Sequence, residues 1–223
     1  MPAEPAAIIF DWDNTLADGW AAIQDGLNAA FRHFGMPEWD REMVLGNVRK
    51  SLAESFPEKF GDQWEKARDI FYLTVQARHL EVLRPMPGAA AALRAVVALA
   101  PLAIVSNKHG PLLRAEVEHL RWDGFFRARI GAGDCAADKP DPAPLHAARA
   151  ACDSPPAEAC WYVGDTALDM LAARRAGMRA VLLGDAAHDG GIEACSPDMH
   201  FPDAMSFAAH LSTLDKRARL ANS

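Results

Sequence analysis

The stretch IIFDWDNTL, residues 8–16, sets three apolar residues directly ahead of two aspartates, Asp11 and Asp13, that flank a tryptophan. With Ala6 and Ala7 before it, the apolar run has the length of a short strand buried on both faces, the type found in parallel sheets. Ending such a strand in two carboxylates is costly. Alternate residues of an extended chain point the same way, so Asp11 and Asp13 repel each other unless a proton or a cation intervenes. The stretch therefore predicts a parallel sheet with a charged site at its carboxyl edge.

The rest of the chain supports that sheet. After the break RPMPG at 84–88, short apolar segments at 102–107 (LAIVSN), 128–133 (ARIGAG), 160–165 (CWYVGD) and 179–184 (RAVLLG) read as strands. Amphipathic segments near 88–99, 110–120, 142–152 and 167–176 read as the helices between them. The alternation predicts an α/β fold, a Rossmann-like parallel sheet with helices on both faces. Residues 16–84 read differently. Trp20, Ile23, Leu27, Phe31 and Phe34 recur at offsets of three and four, and Trp64, Ala67, Phe71 and Val75 make a second helical stripe. If the first strand joins the later sheet, residues 1–15 and 85–223 form one discontinuous core domain and 16–84 a small all-helical insertion. The loop DAAHDGGIE, 185–193, is expected to be the most flexible piece.

Composition narrows the function. The chain of 223 residues is 50% hydrophobic with a net charge of -7, and it holds no Lys/Arg-rich tract to follow a phosphate backbone or an anionic lipid surface. No nucleic-acid or membrane partner is expected, and a monomer or homodimer is. The oily segment 88–105 carries Arg94 and Pro101, which suits a helix and strand of the core better than a membrane span. Four cysteines without CxxC spacing, and an N-terminus with no basic or long apolar leader, point to a cytoplasmic protein. His33 and His79 lie in helical stripes with no metal-ligand spacing around them and read as surface or packing residues.

In an open parallel sheet, ligands bind beyond the carboxyl ends of the strands. Four strand ends carry polar groups: Asp11 and Asp13, Ser106 and Asn107, Asp134 with Lys139, and Asp165 with Asp169. A hard cation such as Mg²⁺, bound by carboxylate oxygens and a backbone carbonyl, would relieve the repulsion between the acids, and Lys139 would add positive charge for a phosphoryl group. Each segment also has a plainer reading. Asp13-Asn14-Thr15 fits a turn and helix cap, Thr166 and Asp169 fit a capping pattern, and Lys139-Pro140-Asp141-Pro142 fits a solvated turn.

Taken in order, DWDNT at 11–15, Ser106, Lys139 in DKPDP and GDTALD at 164–169 resemble the four signature motifs of the haloacid dehalogenase-like hydrolase superfamily. Through VSNK (105–108) and GDTALDM (164–170) the chain looks most like the phosphoglycolate phosphatase group, and its helical insertion resembles a cap domain. The resemblance implies a Mg²⁺-dependent phosphatase acting on a small phosphomonoester. Asp11 would be the nucleophile that forms an aspartyl-phosphate, and Asp13 the acid, then base, lending its backbone carbonyl to the metal. Ser106 and Lys139 would serve the phosphoryl group, Asp165 would ligate Mg²⁺, and Asp169 would stand behind it. Trp12, through its backbone N–H, and Asn107 are candidate substrate-binding positions. In the cap, Arg49 and Lys50 are the cations that could meet a substrate carboxylate. Relatives usually have glycine at position 14, and asparagine tolerates the same left-handed backbone. A phosphomutase, a dehalogenase and a non-catalytic phosphate-binding module are the alternatives.

Overall fold

The structure, a computed structural model, describes residues 4–48 and 52–221. In chain order the strands are β1 (Ala7–Phe10), β2 (Ala17–Asp18), β3 (Arg84–Pro85), β4 (Leu102–His109), β5 (Phe126–Ala132), β6 (Cys160–Gly164), β7 (Arg179–Leu183) and β8 (Met199–Phe201). The helices are α1 (Trp20–His33), α2 (Arg41–Asn47), α3 (Leu52–Phe60), α4 (Trp64–Val82), α5 (Ala89–Val96), α6 (Gly110–His119), α7 (Ala143–Ala151), α8 (Ala167–Arg175), α9 (Gly191–Cys195) and α10 (Ala204–Ala221).

By compactness the chain divides into Met1–Ala17 with Pro85–Ser223, and Asp18–Arg84. In the first unit six strands form one parallel sheet in the order β5-β4-β1-β6-β7-β8. β1 and β6 are buried along their whole length, as their unbroken apolar runs require. Ile9, Val105, Tyr162 and Leu182 face a core shared with Leu145 and Ala148 of α7 and Met170 and Ala173 of α8. Side chains one position away face the opposite side, where Phe10, Trp161 and Phe201 gather around Phe207 of α10 with ring centroids 5.9, 6.3 and 5.4 Å away. The chain leaves β1 for β4 on one side and reaches β6 on the other, so strand order reverses at β1, where a crevice opens beyond the carboxyl ends.

The structure adds two elements toward the C-terminus that the sequence did not suggest, β8 and α10. Neither carries a strong period in the sequence, and residues 185–193 hold a 3-10 turn (Ala187–Asp189) and the start of α9.

The second unit is helical. Phe31, Phe56, Phe60 and Phe71 build its interior, with centroid separations of 5.8 Å for Phe31–Phe60 and 5.6 Å for Phe56–Phe71. α1 and α4 approach closely at Gly26, where a Cβ would lie 2.8 Å from both Phe71 and Val75. His79 is buried in this unit and His33 is exposed.

Candidate active site

Register decides which strand ends meet. Phe10 lies opposite Ile104 of β4 and Val163 of β6, and the Asp11 N–H still donates to the Val163 carbonyl at 2.8 Å. Asp11 thus leaves the sheet level with the end of β6, and Asp165 follows Gly164 immediately. The chain then turns tightly. Leu16 and Ala17 donate their N–H groups to the Trp12 carbonyl at 2.9 and 3.0 Å, and Asn14 donates to Ala17 at 2.8 Å. The turn sets Asn14 at φ +63°, a left-handed conformation that asparagine adopts at low cost.

Lys139 arrives on the loop after β5, and its placement is explicit. Its N–H donates to Asn107 Oδ1 at 3.0 Å, and Asn107 Nδ2 donates to the Lys139 carbonyl at 2.9 Å. Its Nζ, within a side chain 3% exposed, donates to Asp11 Oδ1 at 2.6 Å, Asp169 Oδ1 at 2.7 Å and the Tyr162 hydroxyl at 2.8 Å. All three ammonium protons have acceptors. The Tyr162 oxygen lies 2.9 Å from the Val105 carbonyl and 3.1 Å from Asp169 Oδ1, one proton serving two acceptors.

Asp169 joins two readings that the sequence left separate. It is the N3 residue of a capping box on α8: Thr166 donates from Oγ1 at 2.6 Å and from its N–H at 3.2 Å to Asp169 Oδ2, while the Asp169 N–H donates to Thr166 Oγ1 at 3.2 Å. The helix cap therefore fixes the carboxylate whose other oxygen holds Lys139. Gly164 leaves room for it, since a Cβ there would lie 2.5 Å from the Asp169 carboxyl carbon. Asp165 is held from the β1 side, by Asn14 Nδ2 at 2.8 Å and Thr15 Oγ1 at 3.1 Å, and His188 Nε2 lies 3.5 Å from its Oδ2. A cavity of ≈ 320 Å³ opens beside it, lined by Asn14, Thr15, Met86, His188 and Asp203 among others.

Asp11, Asp165 and Asp169 each present an oxygen within 4.8 Å of the others. Three buried carboxylates against the single Lys139 ammonium leave two uncompensated negative charges. Oxygen donors with that balance suit a hard divalent cation such as Mg²⁺. The protonation tendencies agree. Burial first, then the neighbouring charges of Asp169 and Asp13, push the Asp11 carboxyl up to about 7 against the pull of Lys139. Burial and the negative charges of Asp169 and Asp11 push Asp165 well above the usual carboxylate range. Asp169 goes the other way, its burial outweighed by Lys139, Thr166 and Tyr162.

Asp13 stands outside that group. Its Oδ1 accepts from Lys108 Nζ at 2.8 Å, and burial raises its carboxyl more than Lys108 lowers it. Ser106, inside β4, is 5% exposed, and its Oγ accepts the Lys108 N–H at 3.2 Å.

The structure places two further candidate positions. Asn107, a candidate substrate-binding position, has both atoms of its carboxamide engaged on the Lys139 backbone. Trp12, a candidate through its backbone N–H, turns its side chain away into the core: it is 0% exposed, packed edge-on to Trp122, and its indole N–H donates to Glu116 Oε2 at 2.7 Å. Arg49 and Lys50 lie outside the described residues. Sequence reasoning did not single out Tyr162, Glu116, or the side chains of Asn14 and Thr15. A hydroxyl inside an otherwise apolar strand and a glutamate between Leu113 and Val117 on a buried stripe were the available signals, since buried polar groups need partners.

A model described as "Haloacid dehalogenase-like hydrolase" matches residues 8–183. The chain is 29% identical over 188 residues to a phosphoglycolate phosphatase of Chromobacterium violaceum, covering 80% of this chain and 84% of that one. It is 30% identical over 185 residues to a phosphoglycolate phosphatase of Cereibacter sphaeroides, covering 78% and 83%. Among solved structures, a haloacid dehalogenase-like family hydrolase from Streptococcus pneumoniae superposes with a TM-score of 0.84 at 23% identity, over 94% of this chain and 99% of that one.

Proposed function

The chain belongs to the haloacid dehalogenase-like hydrolase family, in its phosphoglycolate phosphatase-like group, and is a phosphoric monoester hydrolase; from that premise we propose that it is a Mg²⁺-dependent phosphatase of a small phosphoglycolate-like metabolite, working through an aspartyl-phosphate on Asp11. The observation that carries the reading is the buried Lys139 ammonium joining Asp11 to Asp169, with Asp165 alongside and Asp13 on a cation of its own.

Asp11, Asp165 and the Asp13 carbonyl would hold Mg²⁺, with Asp169 behind them. When bound, the ion supplies the positive charge that keeps Asp11 ionised and offsets charge on the phosphoryl oxygens. Lys139 fixes Asp11 through Oδ1, which leaves Oδ2 to attack. In the first step an Asp11 oxygen bonds to phosphorus, the ester P–O bond breaks, and the departing alkoxide takes a proton from Asp13. In the second, water attacks phosphorus and gives a proton to Asp13, the bond to Asp11 breaks, and inorganic phosphate leaves. The raised Asp13 carboxyl is the direction that a general acid working near neutral pH needs. Ser106 and Lys139 stabilise the phosphoryl charge.

We assign the choice of leaving group to the helical unit, acting as a cap. Four unpaired cysteines, and the absence among the described residues of any helix long and apolar enough to cross a membrane, support a cytoplasmic placement. The test is phosphate release from p-nitrophenyl phosphate and from a panel of small phosphorylated metabolites. Activity that needs Mg²⁺ and vanishes in Asp11→Asn is expected. Activity that survives EDTA or that substitution would contradict the mechanism.

A further inference from the structure

Asp13 is tied into a second buried ion network that the steps above do not use. Lys108, on β4, has a side chain only 7% exposed, and its Nζ donates to both Asp13 Oδ1 at 2.8 Å and Glu116 Oε2 at 2.7 Å. Glu116 comes from α6 and is 0% exposed. The same Oε2 accepts the Trp12 indole N–H at 2.7 Å. Trp12 is itself fully buried, with Trp122 edge-on at 5.9 Å. The contacts run from a rigid aromatic pair, through a buried carboxylate and an ammonium, to Asp13.

The fold does not require this charge. Glu116 lies on the stripe by which Leu113 and Val117 pack α6 into the core, where an aliphatic side chain would avoid burying an ion. Its geometry suits a different task. A lysine alone is a poor fixture, because four rotatable bonds separate its charge from the backbone. Lys108 is located because Glu116 holds it from the far side, and Glu116 is located because a donor on an immobile ring holds it. Asp13, with 20% of its side chain exposed against 7% for Lys108 and 1% for Glu116, is the most exposed of these four residues.

We propose that Lys108, Glu116 and Trp12 are positioning residues for Asp13: together they hold Oδ1 and so aim Oδ2 at the leaving-group oxygen. The proposal rests on the reading of Asp13 as the acid that protonates the leaving group. General-acid transfer needs hydrogen-bond reach, and a misplacement of about 1 Å can cost on the order of a hundredfold in rate.

The test compares two esters of similar shape and different need for that proton. Phenyl phosphate expels a strongly basic phenolate, whereas p-nitrophenyl phosphate expels a far weaker base that departs without help. In Lys108→Met, kcat/KM for phenyl phosphate should fall roughly 10- to 100-fold, and at least about fivefold further than for p-nitrophenyl phosphate. Trp12→Phe keeps an aromatic side chain, though a smaller one, and drops the N–H; it should give the same unequal loss at smaller size, and it carries the test alone if Lys108→Met does not fold. Equal losses on the two esters, or no loss on either, would overturn the positioning role. Wild-type protein that cleaves neither ester would remove the phosphatase reading and this inference with it, whereas an active wild type with equal losses removes this inference only.

Discussion

Lys139→Met retains most of the side chain's apolar volume and removes one charge, so its effects trace to the ammonium. The ammonium lies 2.6 Å from Asp11 and 2.7 Å from Asp169, whose side chains are 8% and 2% exposed. At an effective dielectric of about 20, each pair attracts with about 6 kcal/mol. Desolvating three charges cancels much of that, but the variant keeps the desolvation of two carboxylates and loses both attractions. Breaking a buried pair from one side costs about 3–5 kcal/mol. The cost must also depend on pH. With Lys139 gone, Asp11 and Asp169 hold protons more tightly in the folded chain than in the unfolded one, so the variant loses stability as pH rises. Urea denaturation of wild type and variant in EDTA should give a difference of about 3–5 kcal/mol at pH 8 that shrinks toward pH 5. Phosphate release should fall at least about a hundredfold. A destabilisation below about 1 kcal/mol at pH 8, or one unchanged between the two pH values, would refute the reasoning that Lys139 compensates both acids.

Tyr162→Phe removes a hydroxyl placed against Lys139, the Val105 carbonyl and Asp169. It should cost about 1–3 kcal/mol in urea denaturation, because a buried carbonyl and an ammonium proton lose a partner, and should lower kcat more than it raises KM. In EDTA the wild type should itself lose stability between about pH 4 and 7. The Asp11 carboxyl rises from 3.8 to about 7 and Asp165 shifts the same way, so the folded state keeps protons that the unfolded state has released across that window. Millimolar Mg²⁺ should flatten the decline, measured as Tm against pH; a Tm that climbs steadily from pH 4 to 7 in EDTA would contradict it.

The parts of this molecule that could be read from sequence are those encoded locally. β1 and β6 are short, buried on both faces and apolar apart from the Tyr162 hydroxyl, so composition and length sufficed. Asp11, Asp165 and Asp169 were legible because each follows a strand or caps a helix, and such positions in a parallel sheet converge. β8 was not legible, being three residues with incomplete burial. Neither was the network behind Asp13. Trp12 and Glu116 are 104 positions apart, and Lys108 and Asp13 are 95 apart, and the pairing depends on how α6 is rotated against β4. The brace from Asn107 to the Lys139 backbone was not legible for a related reason: the two residues are 32 positions apart, and a polar residue near a strand end carries no sign of which loop it will meet.

The central claim is that phosphorus becomes covalently bound to Asp11. Rapid quenching during turnover with Mg²⁺ and p-nitrophenyl phosphate, followed by borohydride, reduces an acyl-phosphate to the alcohol, and mass spectrometry of the N-terminal tryptic peptide, which ends at Arg32, reads where. Homoserine at position 11, formed only when both Mg²⁺ and substrate are present, is the predicted result. An unmodified Asp11 at every quench time while phosphate is being released, or reduction at another residue, would contradict the account.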